Sequence, residues 1–190
     1  SFVMGDMLVN YMLDASRHMT MNMVPLGMED DITQKDKVLR GDSMVQAKFI
    51  GDDHPGTYAG GMTMRNSQTS GLLKFEKQEC KRSEENGHKI IKVITYLNDQ
   101  RQHTFIHTLT YADNEYALRA ETEFVNDSDC PVTLEYMSTF SLGDITPFEE
   151  GDAYDSLDIY RIRSKWSYEG RLIKESAEDQ IGRASCRERV

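Results

Sequence analysis

The sequence predicts an all-β protein, a large antiparallel β-sandwich with little helix. Short runs rich in Val, Ile, Thr, Tyr and Phe alternate apolar and polar residues through most of the chain, and Asn, Asp and Gly interrupt them. Such runs, spaced about 10–12 residues apart, are typical of a sandwich or barrel. No segment sustains a helical hydrophobic period, and the strand–helix alternation of a parallel sheet is absent from the sequence.

The first strands are predicted in the methionine-rich front of the chain. Met7–Leu13 and Met19–Val24 flank the turn Asp14–Arg17, and together they predict a hairpin. Ser43–Ile50 predicts another strand. We expect the clustered methionines of Asn10–Met28 to fill irregular gaps in the core, because the thioether side chain is flexible and apolar.

Further strands are predicted from residue 88 onward. Their predicted bounds are His88–Leu97, Arg101–Tyr111, Glu115–Val125 and Cys130–Leu142. The turns between them contain Asn and Asp, whose side chains bond to their own backbone and tolerate unusual dihedrals. The alternation is clearest in the third of these strands, where one face carries Tyr116, Leu118, Ala120, Thr122 and Phe124.

One connection is long and rich in glycine. The segment Gly51–Gly71 contains five glycines and Pro55. Long glycine-rich connections in compact domains are often functional and are sometimes only mobile, so this one is a candidate binding loop. It lies between predicted strands, which excludes the phosphate-binding arrangement at a helix N-terminus.

Composition and charge limit the partners that the chain can bind. The formal net charge is −10 at pH 7, whereas nucleic-acid binding requires clustered Lys and Arg. We therefore predict no nucleic-acid partner, and no apolar run has the length of a membrane span. Cys80 and Cys130 have no metal-ligand or disulfide spacing and suit free thiols in a reducing cytosol. A cytoplasmic location is expected.

The last ten residues, Ile181–Val190, have the sequence IGRASCRERV. In one reading frame this string is the translation of a common adapter for short-read DNA sequencing, and Gln180 supplies the bases that precede it. We therefore expect residues 1–180 to form the β-sandwich domain and residues 181–190 to be an artefactual tail, which is set aside before the fold is considered.

No motif for catalysis or metal binding is found in the chain. His103 and His107 have the spacing of a helical zinc pair, but on a strand they would lie about 13 Å apart, too far for one metal. The acidic groups at Glu29–Asp31 and Glu149–Asp152 are expected to be solvated loops. We predict no catalytic residue, no metal and no cofactor in this chain.

Trp166 is the only tryptophan. It lies in Ile159–Leu172, a segment dense in arginine and aromatic residues. Three interpretations remain open for this segment: a packed sheet edge, an interface, and a strand that stacks against a sugar ring.

Three segments carry a resemblance to a known family. They are VNDSDCPVTLEYMSTFSLGDITPF at Val125–Phe148, YRIRSKWSYEGRL at Tyr160–Leu172 and HPGTYAGGMTMRN at His54–Asn66. Together they resemble the amino-terminal domain of bacterial α-galactosidases of glycoside hydrolase family 36. The third segment departs from the family loop, since Met62–Met64 stands where the family has an acidic residue before the arginine.

The resemblance implies a non-catalytic domain of a larger enzyme. Members of the family begin with a β-sandwich and continue into a (β/α)₈ barrel that carries both catalytic carboxylates of a retaining hydrolase. The parent enzyme is expected to hydrolyse terminal α-galactosyl residues of oligosaccharides and to form a homo-oligomer, such as a tetramer. The candidate substrate-binding residues are Asp53, Arg65, Asn66 and Trp166.

Alternatives to this function remain open. Charged and amide groups suit hydroxyl-rich ligands because they supply several donors and acceptors, but Arg65 could instead pair with a local carboxylate. The chain could be a stand-alone carbohydrate-binding β-sandwich module. It could also be the same domain of an α-N-acetylgalactosaminidase or of a galactosyl-transferring relative, which only barrel residues would distinguish.

Overall fold

The computed structural model describes residues 1–32, 42–53, 66–143, 145, 147–149, 156–164, 166–167 and 169–176. The chain divides into two compact units, Ser1–Glu29 with Val38–Ile145 and Asp30–Lys37 with Thr146–Val190. In the described residues, helix is limited to the 3-10 turn Glu29–Asp31 and the short helix α1, Gln68–Leu72. All strand pairs there are antiparallel, so the predicted all-β class is confirmed.

The first unit begins with a three-stranded sheet. Its strands, in spatial order, are β1 (Phe2–Met4), β2 (Met7–Leu13) and β3 (Met19–Pro25). The predicted hairpin is confirmed, and Leu13 pairs with Met19 at its closed end. In the turn, the Asp14 carboxylate accepts a hydrogen bond of 2.8 Å from the backbone of His18, which is the bonding that Asp at a turn provides.

A four-stranded meander forms the largest sheet of the first unit. Its strands, in spatial order, are β5 (Lys74–Glu85), β6 (His88–Asn98), β7 (His103–Ala112) and β8 (Leu118–Asn126). The predicted strands at β6, β7 and β8 are confirmed. The inward face of β8 carries Leu118, Ala120, Thr122 and Phe124 as predicted, but Tyr116 precedes the strand and is fully exposed.

A third, two-stranded sheet pairs β4 (Ala47–Phe49) with β9 (Leu134–Met137). Both strands are shorter than predicted. Beyond them the two segments still run side by side through single backbone bonds, such as Ser141 N to Met44 O at 2.8 Å, without a regular ladder. Pro131, inside the predicted strand, has no N–H to donate to a ladder and lies outside β9.

The core of the first unit is built by all three sheets. The three-stranded sheet contributes Met4, Val9, Met19 and Met21, the two-stranded sheet Ala47 and Phe49, and the four-stranded sheet Val93, Leu97, Phe105 and Leu109. These side chains pack as one cluster, the arrangement of a sandwich whose sheets face each other. Within Asn10–Met28, Met19 and Met21 have the core role that the sequence predicted, whereas Met28 is exposed.

A row of polar side chains crosses the four-stranded sheet inside this core. Gln78, Thr95, His107 and Thr122 are neighbours in register across the four strands. Gln78 Nε2 donates to Thr95 Oγ1 at 2.9 Å, and Thr122 Oγ1 donates to the carbonyl of Thr139 at 2.6 Å. His107 is fully buried, and neither ring nitrogen has a partner among the described residues. Burial lowers the pKa of His107 to about 4.

The described part of the second unit contains a β-hairpin. It pairs β10 (Asp158–Arg163) with β11 (Arg171–Ser176). Two ion pairs join the strands, Lys174 with Asp158 at 2.8 Å and Arg161 with Glu175 at 3.8 Å. The predicted tail, residues 181–190, lies outside the described residues.

Gly5 lies in the tight turn between β1 and β2, which packs against Tyr111 of the four-stranded sheet. Its φ is +66°, and a Cβ at this position would lie 3.2 Å from the Tyr111 ring. We expect Gly5→Ala to lower the free energy of unfolding by about 2 kcal/mol, because the left-handed backbone and the close contact both oppose a side chain.

Gly87→Ala is the matched control for Gly5→Ala. Gly87 also has a positive φ, +78°, but nothing lies within 4 Å of the position that a Cβ would take there. We expect a loss of about 1 kcal/mol in urea denaturation, from the backbone alone. Equal losses in the two variants would show that the Tyr111 contact carries no cost.

Candidate functional site

The two ends of the glycine-rich loop meet at a closed neck. We define the loop neck as residues 52–53 and 66–70, which flank residues 54–65. Gln68 N donates to the carbonyl of Asp53 at 3.1 Å, and Asp53 N donates to Gln68 Oε1 at 3.4 Å. The loop therefore leaves and re-enters the fold at one place. Asp53 and Asn66, two of the predicted substrate-binding residues, are both exposed there.

Helix α1 anchors the second side of the loop neck. Ser67 is its N-cap, and its hydroxyl accepts a hydrogen bond of 3.1 Å from Ser70 N. The hydroxyls of Ser67 and Ser70 also donate to the carbonyl of Ala47 in β4, and Ala47 N donates to Ser70 Oγ at 2.9 Å. Serine at both positions suits this turn because a hydroxyl can donate and accept at once.

Gln46 holds Asn66 from the interior side. The Gln46 side chain is almost completely buried, and its Oε1 accepts from Asn66 N at 2.8 Å. Asn66 has a φ of +53°, a left-handed conformation that asparagine tolerates better than most residues. The backbone of Asn66 is therefore held from inside while the residue remains exposed.

A cluster of charged groups ties the loop neck to the turn between β6 and β7. The Arg101 guanidinium donates to Thr69 Oγ1 at 2.6 Å, donates to Asp99 Oδ2 at 2.9 Å and lies 3.6 Å from Asp52 Oδ1. Thr69 Oγ1 donates to Asp52 Oδ2 at 2.6 Å. Arg101 thus contacts a residue on each side of the loop neck, and Phe49 packs under its guanidinium at 5.6 Å.

Asp99 is the buried anchor of this charged cluster. Its side chain is fully buried and accepts hydrogen bonds from the backbone N–H groups of Arg101 and His103 at 2.9 and 3.2 Å. His103 Nδ1 adds a bond of 2.8 Å. Burial opposes ionisation of Asp99 and is the largest contribution, but the bonds from His103 and Arg101 outweigh it and hold its pKa below the usual value.

The structure separates the two histidines that have zinc-like spacing. His103 bonds to Asp99, whereas His107 lies further along β7 in the polar row of the core. Among the described residues, no group of three or more His, Cys, Asp and Glu side chains is arranged to hold a metal ion. Cys80 and Cys130 are both exposed free thiols.

Trp166 lies in the turn of the β10–β11 hairpin and is 93% exposed. The hairpin also exposes Tyr160, Ile162 and Leu172. Trp166 therefore does not have the position of a packed sheet edge, one of the three interpretations of its segment. Arg65, the remaining predicted substrate-binding residue, lies outside the described residues.

Sequence reasoning missed the residues that hold the loop neck. In the sequence, Asp99 is one of the aspartates in the turns between predicted strands, and Gln46, Asp52 and Arg101 belong to no motif. Arg101 and Thr69 are 32 positions apart, so no local spacing pattern reveals their contact. The only signal is an arginine two residues after the aspartate of a turn, which is common in ordinary turns.

Comparison of the chain with models of protein families, with curated proteins and with solved structures finds no match. In the part of the chain that the structure describes, no helix has the length and apolar character needed to cross a membrane.

Proposed function

We propose that this chain is the amino-terminal, non-catalytic β-sandwich domain of a retaining α-galactosidase of the family 36 type. The observation that carries the proposal is the closed loop neck, which holds the exposed residues Asp53 and Asn66 on either side of the segment that resembles the family loop. The antiparallel sandwich around that neck is the architecture that the resemblance implies.

The chemistry of Asp53 and Asn66 suits a galactosyl group. A carboxylate accepts hydrogen bonds from sugar hydroxyls, and a side-chain amide both donates and accepts. Both residues have backbones tied to the neck, Asp53 through Gln68 and Asn66 through Gln46. Preorganised polar groups lose less conformational entropy when a ligand binds, which favours recognition.

In the parent enzyme, this domain covers one side of the catalytic barrel, takes part in subunit contacts of a cytoplasmic homo-oligomer and contributes to the substrate pocket. Sequencing the source DNA beyond the codon for Gln180 tests this proposal. The expected result is an open reading frame that continues into about 200–250 residues of alternating strands and helices with two catalytic carboxylates. A stop codon, or a frame that encodes another fold, would refute it.

We expect the purified chain to show no hydrolysis of a chromogenic α-galactoside, because the catalytic pair belongs to the barrel. The measurement compares release of the chromophore with that of a boiled sample. Turnover clearly above the boiled sample, and lost when one acidic residue among 1–180 is substituted, would contradict the prediction.

A second candidate function is carbohydrate binding by the chain itself, as a stand-alone module, and the exposure of Trp166 in the second unit favours it. The exposed indole in the turn of the hairpin offers a flat apolar surface against which a sugar ring can stack, and the same hairpin exposes Tyr160. Because Trp166 is the only tryptophan, its fluorescence reports on such a contact directly. A saturable change on titration with an α-galactoside, abolished in Tyr160→Ala, would favour this function over the first.

A further inference from the structure

We infer that Arg101 is a positioning residue that sets the geometry of Asp53 and Asn66 toward an α-galactosyl group, although it lies in a different turn from the loop. The inference rests on the proposed function for the identity of the ligand. The mechanical part, that Arg101 holds the loop neck closed, stands on the contacts of the described residues alone.

Arg101 is suited to this role because one planar group reaches both sides of the neck. It contacts Asp52, which immediately precedes Asp53, and Thr69, which follows Asn66 by three residues. Asp52 and Thr69 are also bonded to each other at 2.6 Å. The guanidinium therefore completes a ring that joins the start of the loop to its end.

The anchor of this ring, Asp99, lies in the turn that joins β6 and β7 of the four-stranded sheet. Asp99 accepts from Arg101 Nε and is itself held by backbone N–H groups in the β6–β7 turn and at the start of β7. The Asp52 carboxylate is also fixed, because its Oδ2 accepts from Phe49 N at 3.0 Å. Arg101 thus fixes the loop neck relative to the β6–β7 turn, because it bonds to Asp99 in that turn and contacts Asp52 and Thr69 in the neck.

Bridging the two sides of the loop neck requires the planar guanidinium of arginine, because a positive charge alone does not supply donors in fixed directions. The guanidinium donors point in fixed directions within one plane, whereas a lysine ammonium is a single point charge on a flexible chain. A lysine at position 101 could pair with one carboxylate but could not bridge Asp99, Asp52 and Thr69 together. Arg101→Lys therefore separates geometry from charge.

The first test is amide hydrogen exchange on the full chain. In Arg101→Ala and Arg101→Lys, we expect the amides of Asn66, Gln68 and Thr69 to exchange at least tenfold faster, while the amides of β6 and β7 keep their protection. Arg119→Ala, which removes an exposed arginine from β8, is the matched control and should leave the neck amides unchanged. Unchanged exchange at the neck in Arg101→Ala would overturn the inference.

The second test is steady-state kinetics of the complete gene product. We expect Arg101→Ala and Arg101→Lys to raise KM for an α-galactoside about tenfold with kcat within about twofold, the pattern of lost substrate binding. The Asp53→Ala variant should do the same. If Asp53→Ala raises KM while Arg101→Ala does not, Arg101 does not position the pocket and the inference fails.

The two tests fail independently. If the complete gene product has no α-galactosidase activity, the proposed function and the galactosyl ligand are both refuted, whereas the exchange result still decides whether Arg101 holds the loop neck. If exchange at the neck is unchanged, the role of Arg101 is refuted and the proposed function is untouched.

Discussion

Replacing Asp99 with alanine is expected to lower the free energy of unfolding by about 3–5 kcal/mol, the range for breaking a buried ion pair. The side chain is fully buried and accepts bonds from Arg101 and His103, so its loss leaves the buried donors of His103 without that partner. Urea denaturation followed by circular dichroism measures the change.

Asp113→Ala is the matched control for Asp99→Ala. Asp113 lies in the next turn of the same sheet, but its side chain is 41% exposed and pairs with His88 at 3.3 Å. An exposed pair of this kind contributes less than about 1 kcal/mol. If the two substitutions cost the same, the buried cluster around Asp99 is not what stabilises this end of the sandwich.

Acidification from pH 6.5 to pH 4 is expected to destabilise the first unit by about 3 kcal/mol through His107, since each unit of pKa shift corresponds to about 1.4 kcal/mol. Burial in the apolar core lowers the pKa of this histidine to about 4. In the unfolded chain the imidazole has its ordinary pKa near 6.5. Between pH 6.5 and pH 4 the unfolded state therefore binds a proton at His107 that the folded state does not bind.

The sign of this effect follows from the lowered pKa. The stability associated with neutral His107 is fully present above about pH 6.5, decreases as the pH falls, and levels off below about pH 4. We expect His107→Leu to remove this part of the pH dependence and to cost little at pH 7.5, because an apolar side chain replaces a buried group that has no described partner. Identical pH profiles for the two proteins would contradict the prediction.

The alternating strands were predictable from the sequence because each turns one face to the core and the other to a more exposed side. β6, β7 and β8 show the period of two that such a position imposes. The strand β5, at one edge of the sheet, was missed because most of its residues are exposed and no apolar alternation marks it. Its sequence, KFEKQECKRSEE, carries charges on both faces, as edge strands do to avoid pairing with other chains.

The bounds of the irregular strands could not be read from the alternation. Ser43–Ile50 and Cys130–Leu142 have strand-like composition, but only Ala47–Phe49 and Leu134–Met137 form the ladder. A register shift between Lys48 and Phe49 interrupts the pairing. Whether two strands keep a regular ladder depends on both chains at once, which neither sequence segment specifies.

The sequence by itself determined the all-β class, the hairpin turns and the buried methionines of β3, because these depend on neighbours along the chain, and it marked the glycine-rich connection as a candidate binding loop. Only the tertiary structure decided that Arg101, Asp99 and Gln46 hold the ends of that connection, and that Trp166 is exposed. The physical reason is that hydrogen bonds and ion pairs at the loop neck join residues distant in sequence. The sandwich topology brings these distant residues together, and no local sequence pattern encodes that topology.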